Sequence, residues 1–475
     1  MRTYALSRPV DGRDTWHDPK RYLWLLGLVV PVLPFVAMGL HAWTGLAAAL
    51  YVGPVVLLVI VPLIDLITGD DPTNPPDEVV EALEEDRYYR WVTYAFLPVQ
   101  YAGFAASAWY VATQDLTWVG VLGLALTAGS VAGVAINTAH ELGHKRESAE
   151  RWLAKVALAQ CFYGHFFIEH NRGHHVRVAT PEDPASSRIG ESFYAFWPRT
   201  VLGSLRSAWR LETKRFARRG RHPWRIGNDV LNSWLLSAVL WGGLVAWLGV
   251  GIVPFLLIQA VWGVTLLELV NYMEHYGMLR RKVGPPDRRR YERVTPAHSW
   301  NSNQIATNVL LYHLQRHSDH HANPTRRFQT LRDFAEAPVL PTGYAGMMVT
   351  ALVPPLFRRL MDPLVVAHYD GDLRRANVQL SKREQLLARY PVPVAAGRAG
   401  TAEGGAAEAA ASTAAADVAA ARCPGCGYTY VVAEGNELEG FAAGTAWSDV
   451  PDDWCCPDCG VREKVDFVPL AAADG

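Results

Sequence analysis

Residues 133–145 read GVAINTAHELGHK, a stretch in which an apolar helix runs without a break into His140 and His144. Residues four apart on a helix lie on the same face, so both imidazoles can point at one site. The apolar part belongs to the run 118–139, which has the roughly 20 residues that a helix needs to cross a bilayer. The sequence therefore predicts a histidine pair at the end of a membrane span, on the border between hydrocarbon and water.

Two further short windows repeat this concentration of histidine. EHNRGHH at 169–175 and LQRHSDHHA at 314–322 carry three each, and NYMEHYG at 271–277 places one more at the end of an apolar run. The nine candidate ligands are His140, His144, His170, His174, His175, His275, His317, His320 and His321. Nine imidazoles are too many for one tetrahedral zinc, and they suit two metal ions with room for a further molecule.

Several acidic residues near these histidines are candidates to orient the imidazoles, because a metal-bound histidine usually donates its other N–H to a carboxylate or carbonyl. They are Glu141, Glu169, Glu274 and Asp319, and for each of them a solvated or capping role is an equal alternative. His313, four residues before His317, is a further supporting candidate. Glu268 lies inside an apolar helix, where a carboxylate is either functional or hydrogen-bonded at a helix contact.

Six apolar runs predict a mainly helical fold with six membrane spans: 22–43, 45–64, 91–112, 118–139, 230–250 and 252–273. The short turns between paired spans carry no Lys or Arg, whereas residues 141–227 carry 16 and residues 280–293 carry seven. Because cytoplasmic loops are rich in Lys and Arg, both termini and a helical cap that holds the nine histidines are predicted to be cytoplasmic. The net charge of −1 gives no reason to expect nucleic acid as a partner.

The composition changes sharply after residue 390. Ala, Gly, Ser and Thr dominate 391–422, which predicts a flexible linker between a membrane domain at 1–390 and a small domain at 423–475. The small domain contains two C-x-x-C pairs, Cys423/Cys426 and Cys456/Cys459, with Cys455 as a spectator. Four thiolates in a tetrahedral array indicate zinc or iron.

HELGH at 140–144 also fits the HExxH pattern of zinc proteases, in which Glu141 would be the general base. That interpretation leaves the other histidine windows without a purpose. A membrane redox anchor without enzymatic activity is a further alternative, and it is disfavoured because an electron carrier does not need so open a set of ligands.

The C-terminal segment strongly resembles rubredoxin, the one-iron electron carrier. The resemblance runs through CPGCGYTY at 423–430, GT at 444–445, PDDW at 451–454 and CCPDCG at 455–460. It implies one iron held by Cys423, Cys426, Cys456 and Cys459. With an electron-transfer module attached to the chain, iron is also the metal to expect in the histidine site.

The histidine windows, together with VRVATPEDPASSR at 176–188, resemble the membrane-bound alkane monooxygenases over about residues 20–390. The resemblance implies two non-heme irons held by the nine histidines, and O2-dependent oxidation of medium-chain n-alkanes to 1-alkanols. It also implies electrons from NAD(P)H through a rubredoxin reductase and rubredoxin, which is fused here, and a place in the lipid bilayer of the bacterial inner membrane. A histidine-rich desaturase or a hydroxylase of aromatic methyl groups is the alternative within this class.

Charge and polarity predict two contacts. Residues 423–475 hold ten Asp and Glu against Arg462 and Lys464, whereas residues 141–227 hold 16 Lys and Arg against eight Asp and Glu, so the small domain should dock there in a salt-sensitive way. An alkane can be held only by burying its methylenes. We therefore expect a groove among the second, fourth and sixth spans that ends at the metals.

Overall fold

The computed structural model describes residues 2–10, 13–286, 289–392 and 418–471, and these residues are mainly helical. Five helices are long and apolar enough to cross a membrane: Leu23–Thr44, Ala47–Thr68, Trp118–Gly143, Asp229–Leu248 and Val250–Glu274. They coincide with five of the six predicted spans. A mainly helical fold with several helices able to span a membrane is therefore confirmed, and the count of six is not.

The remaining predicted span, 91–112, lies within the helix Arg87–Thr113, which has 27 residues. Five tyrosines and two tryptophans make this helix less apolar than the other five. It nevertheless packs inside the bundle, where the ring of Phe104 stacks on that of Phe255 with centroids 6.2 Å apart. Its length and packing suit a span, whereas its composition alone does not identify one.

Further helices and short strands lie between and after the long apolar helices. The helices are Asp77–Glu85, Ser148–Ala159, an irregular helix at 166–177, Phe193–Arg218, Ile305–Leu310, His317–Ala322, Tyr344–Ala351, Pro354–His368 and Arg383–Arg389. Two antiparallel strand pairs join Tyr4–Val10 to Arg13–Trp16 and Lys282–Val283 to Arg290–Tyr291.

The helices Trp118–Gly143 and Val250–Glu274, which lead to two of the histidine motifs, pack unusually closely. A Cβ at Gly129 would lie 2.5 Å from the backbone oxygen of Gln259, and a Cβ at Gly133 would lie 3.0 Å from Cβ of Leu266. Glycine is needed at such positions because any side chain would push the two backbones apart. The close packing brings the ends of both helices, and hence His140 and His275, to one place.

The C-terminal domain is a three-stranded antiparallel sheet in the order Thr429–Val431, Val418–Arg422, Val468–Ala471. Its core is aromatic, with Tyr430, Phe441, Trp447, Trp454 and Phe467 in one cluster. The strand Val418–Arg422 overlaps the end of the predicted linker 391–422, of which residues 393–417 lie outside the described part of the chain. The two boundaries between the three predicted segments therefore stay predictions.

Candidate metal centre

The nine predicted ligands come together in two groups, each with one ring nitrogen per residue within 4.8 Å of the others. The first group is His140, His144, His170, His175 and His320, and the second is His174, His275, His317 and His321. All nine side chains are buried. The structure therefore unites residues that are up to 181 positions apart, from His140 to His321.

One wide helical turn divides the histidines of the second window. Residues His170–His174 form a π-helix between two short α-helical pieces. In a π turn, residues five apart are aligned, and Nε2 of His170 lies 3.0 Å from Nε2 of His175 in the first group. The ring of His174 points to the second group, with its centroid 4.9 Å from that of His275.

The helix His317–Ala322 divides the third window in a similar way. His317 and His321 are one turn apart, and their Nε2 atoms lie 2.8 Å from each other in the second group. His320 points to the other side, with Nε2 3.1 Å from Nε2 of His175. This helix and the π turn therefore each supply histidines to both groups.

The state of the ring nitrogens fits metal ions. Nε2 of His140, His144 and His174 is buried with no hydrogen-bond partner among the described residues. Burial, strengthened by the neighbouring imidazoles, holds the pKa values of six histidines well below the usual range: His144, His170, His175, His317, His320 and His321. Neutral imidazoles whose nitrogens converge are the donor set that Fe, Zn and Cu bind.

Asp183, which the sequence analysis did not single out, orients His174. Its Oδ2 lies 2.8 Å from Nδ1 of His174 and accepts a hydrogen bond from the Ser186 hydroxyl at 2.6 Å. Burial would raise the pKa of Asp183, but the His174 imidazole and the hydrogen bonds hold it below the usual range. Such a carboxylate fixes the tautomer that leaves Nε2 available to a metal. The only sequence signal is an acidic residue in the polar stretch PEDPASS, nine positions after His174.

Replacing Asp183 with asparagine is expected to lower metal content or turnover by about 10- to 100-fold, which is the usual cost of removing a carboxylate that orients a ligand. Metal analysis of the purified protein and turnover measured together will check this. Glu182→Gln is the matched control, because this exposed neighbour only accepts a hydrogen bond from the Tyr291 hydroxyl at 2.8 Å. Full metal content and turnover in D183N would contradict the assigned role.

Three of the four carboxylates expected to orient histidines form ion pairs with cations instead. The pairs are Glu141 with Lys145 at 3.0 Å, Glu169 with Arg177 at 2.7 Å and Asp319 with Arg326 at 2.9 Å. These contacts brace the backbone around the histidine windows. Glu274, in contrast, does approach a predicted ligand, with Oε2 3.2 Å from Nε2 of His317.

The two other supporting candidates lie outside both groups. Glu268 is buried, and its carboxylate accepts three hydrogen bonds: from the Tyr163 hydroxyl at 2.8 Å, the Thr200 hydroxyl at 2.9 Å and the Asn271 amide at 3.1 Å. This is the geometry of a hydrogen-bonded glutamate at a helix contact. Nδ1 of His313 lies 3.0 Å from the backbone oxygen of Phe328, away from the metal groups.

An apolar cavity leads from the histidines into the helix bundle. Its lining is almost entirely apolar, as is usual for sites that bind small molecules. His140, His170 and His317 line one part of it. Much of the remaining lining comes from the second, fourth and sixth predicted spans: Leu57, Val61, Gly133, Val134, Asn137, Leu266, Leu267, Val270 and Asn271. The three spans predicted to line a groove therefore do line this cavity.

The four cysteines of the two C-x-x-C pairs form a second site. The Sγ atoms of Cys423 and Cys459 lie 3.8 Å apart, and those of Cys426 and Cys456 lie 3.5 Å apart. Four converging sulfurs are the donor set of a tetrahedral zinc or iron site. Cys455 does not belong to this group, since its Sγ lies 3.7 Å from the backbone oxygen of Asp453.

The cysteine domain lies against the histidine-rich domain through its second cysteine loop. At Gly460 a Cβ would overlap the backbone oxygen of Asn171 and lie 3.8 Å from Cβ of His175. Salt bridges surround this contact: Glu439 with Arg218 at 3.0 Å, Asp466 with Arg293 at 2.8 Å, Asp458 with Arg146 at 3.7 Å and Asp453 with Lys214 at 3.9 Å. The predicted docking of an acidic domain on the basic segment 141–227 is confirmed, and the contact extends to Arg293.

Comparison with known families separates the same two domains, the histidine-rich domain and the cysteine domain. The family described as fatty acid desaturase matches residues 116–351, and rubredoxin matches residues 420–467. The first range contains all nine histidines, and the second contains the four converging cysteines. The fold and sites therefore define a membrane protein with a desaturase-like, histidine-rich domain and a C-terminal rubredoxin domain.

Individual relatives narrow the class. Alkane 1-monooxygenase of Pseudomonas putida is 46% identical over 396 residues, covering 82% of this chain and 96% of the relative. Alkane 1-monooxygenase 1 of Alcanivorax borkumensis is 48% identical over 373 residues, covering 77% and 90%. The hydroxylase component of a Pseudomonas putida xylene/toluene monooxygenase is 30% identical over 247 residues, covering 51% and 63%. The chain belongs to the alkane 1-monooxygenase family.

Proposed function

We propose that this protein uses O2 to hydroxylate the terminal methyl group of medium-chain n-alkanes, giving 1-alkanols. The observation that carries the proposal is an apolar cavity lined at one part by His140, His170 and His317. A substrate without polar groups needs such a lining. Relatives of this protein that are 46% and 48% identical to it are named alkane 1-monooxygenases.

The two histidine groups are proposed to hold one non-heme iron each, and the four cysteines a third iron. When bound, iron in the histidine groups supplies the oxidising power that cleavage of an alkane C–H bond requires. Burial disfavours the charged form of the six imidazoles whose pKa values are lowered, and Asp183 fixes the orientation of His174. Iron is preferred over zinc because a rubredoxin domain lies against the site, and rubredoxins deliver electrons.

The cavity orients the substrate by shape. Each buried methylene contributes about 0.8 kcal/mol, so an alkane gains most when its whole length lies between the spans. One chain end then lies beside His140, His170 and His317, while internal carbons are held among Leu57, Leu266 and their neighbours. Selectivity for the terminal methyl follows from this position, without any polar contact to the substrate.

Filling the cavity should shorten the longest alkane that the enzyme accepts. Leu57→Trp is expected to displace about three methylenes, which costs about 2.4 kcal/mol or roughly 50-fold in kcat/KM for the longest substrates, with little effect on short ones. Competition between alkanes of different length will measure this. Val59→Trp on the same helix is the control, since Val59 is 51% exposed on the outer surface. An unchanged length preference in L57W would contradict this use of the cavity.

We also propose that the helix Arg87–Thr113 is a sixth span. Trp91 and Trp109 near its ends are 66% and 45% exposed, as expected of tryptophans at the two membrane interfaces. Its buried Gln100 donates hydrogen bonds to Oε1 of Gln160 at 2.9 Å and to the backbone oxygen of Ala157 at 3.2 Å, which pairs its N–H groups within the protein. With six spans, both termini and the basic segments lie on the cytoplasmic side of the inner membrane, where NAD(P)H is available.

The rubredoxin domain is the proposed electron donor to the histidine site, and an NAD(P)H-dependent rubredoxin reductase is the proposed donor to the rubredoxin. The contact of Gly460 with Asn171, which lies in the π turn four positions before His175, supports the first step. In the proposed domain division, the linker 391–422 tethers the rubredoxin domain at 423–475 to the membrane domain at 1–390.

Metal analysis combined with product identification tests the proposal. The purified protein should contain three irons per chain and should convert octane to 1-octanol with O2, NADH and a rubredoxin reductase. Parallel incubations with an acyl lipid and with xylene test the desaturase and aromatic-methyl alternatives. A product other than 1-octanol, or preferential turnover of xylene or the lipid, would contradict the proposal, and zinc with peptide cleavage would indicate the protease.

A further inference from the structure

The two cysteine loops of the rubredoxin domain have opposite surroundings. The loop that ends at Gly460 packs against Asn171 of the membrane domain. The other loop, Cys423 to Gly427, opens into a surface cleft that is lined only by residues of its own domain, among the described part of the chain. Pro424 and Gly425 at its tip are exposed. Both loops contribute sulfurs to the same site, so that site can be approached from two sides.

The two sides also differ in charge. The docked side presents carboxylates that are engaged in salt bridges: Glu439, Asp453, Asp458 and Asp466. Among the residues that the structure describes, the cleft beside the first loop has no carboxylate in its lining, and its only charged lining residue is Arg422. Val468 and Leu470, which are 52% and 39% exposed, give the cleft an apolar part beside this loop. The two sides are therefore suited to different partners.

We propose that the open side, formed by Cys423–Gly427 with Arg422, Val468 and Leu470, is the docking surface of the reductase, and that the reductase binds while the opposite loop stays on the membrane domain. This inference rests on the proposed function. The partner it fits is a flavoprotein that presents its flavin edge within an apolar surface, because the cleft offers burial of apolar area and almost no charge. The carboxylates on the docked side already form salt bridges with the membrane domain.

The consequence is that electrons can be loaded without release of the domain. Each encounter transfers one electron from the reduced flavin to the rubredoxin domain, and two encounters supply the two electrons of one hydroxylation. The linker then keeps the domain on its docking site at a high local concentration. If the same loop served both partners, the domain would instead have to leave the membrane domain for every electron.

A cross-link that holds the domain in place distinguishes these possibilities. Nζ of Lys214 lies 3.9 Å from Oδ2 of Asp453, and both side chains are largely exposed. A carbodiimide can join this amine and carboxylate directly in the full-length, iron-loaded protein. Lys214→Ala, treated in the same way, is the control for modification of other carboxylates, and the open cleft itself contains none.

The readout is the rate at which reductase and NAD(P)H bleach the visible absorption of the oxidised rubredoxin domain. We expect the cross-linked protein to be reduced within about twofold of the rate for the untreated protein. Reduction slowed about tenfold or more by the cross-link, but not in the treated K214A control, would overturn simultaneous docking. If the reductase fails to reduce even the untreated protein, the choice of partner is wrong, and the electron route of the proposed function fails with it.

Surface variants separate the two sides independently. Val468→Glu and Leu470→Glu should slow reduction by the reductase about tenfold, with an intact visible spectrum as evidence that the domain is folded. Glu439→Gln with Asp466→Asn should leave that reduction unchanged and nearly independent of salt, while it slows alkane-dependent reoxidation of the reduced domain. The reverse pattern, in which the acidic side controls reduction by the reductase, would overturn the proposal.

Discussion

Replacing His175 with alanine is expected to abolish alkane oxidation and to leave the visible absorption of the rubredoxin domain unchanged. Nε2 of His175 lies 3.0 Å from Nε2 of His170 and 3.1 Å from Nε2 of His320, so this side chain is central to the first group. Removal of a residue that merely orients a ligand costs about 10- to 100-fold, and loss of a ligand should exceed about 100-fold. Iron content per chain and product formation from octane measure the effect.

His222→Ala is the matched control for this experiment. His222 is exposed, and its Nδ1 accepts a hydrogen bond from the backbone of Trp224 at 3.3 Å, far in sequence from the three windows. This variant should keep its iron and its turnover. An H175A protein with full iron content and normal product formation would show that the first group does not hold a catalytic metal.

The adjacent cysteines Cys455 and Cys456 should differ completely in their effect on iron content and turnover. Cys456→Ala is expected to remove the iron of the rubredoxin domain and to lower reductase-driven turnover by more than about 100-fold, because a tetrahedral thiolate site loses one of its four ligands. Cys455→Ala should change neither property, since Sγ of Cys455 lies beside the backbone oxygen of Asp453 and outside the sulfur cluster. The visible spectrum and the rate of 1-octanol formation measure both.

Iron analysis locates the defect in the first of these variants. The C456A protein should keep the two irons of the histidine groups, since neither group includes a residue of the rubredoxin domain. Rapid turnover in C456A with the reductase as sole electron source would mean that electrons reach the histidine site by another route. Loss of colour in C455A would place that cysteine in the iron site after all.

The fold was predictable to the extent that local composition determines it. Five predicted spans correspond to long apolar helices in the structure, because a run of about 20 apolar residues has few alternatives to a membrane helix. The helix Arg87–Thr113 is the harder case, since its tyrosines and tryptophans reduce the apolar signal while Gln100 finds its partner only in the folded bundle. The position of that helix depends on contacts that no local pattern contains.

The carboxylates near the histidines also show that local sequence patterns do not reveal tertiary contacts. Glu141, Glu169 and Asp319 are close to histidines in the sequence, which favours an orienting role, yet their side chains pair with cations. Asp183 is nine positions from His174, and a folded loop brings the two within hydrogen-bonding distance. Side chains adjacent in sequence on a helix point in different directions, so proximity along the chain is a poor guide to contact.

The sequence by itself determined which residues are available: nine histidines in short windows at the ends of apolar runs, and four cysteines in two pairs. Tertiary structure decided how they are shared. The π turn at His170–His174 assigns His170 and His175 to one group and His174 to the other, and close packing at Gly129 and Gly133 brings distant helices together. These outcomes depend on the shape of packed backbones over long sequence separations, and the spacing of residue types along the chain does not encode that shape directly.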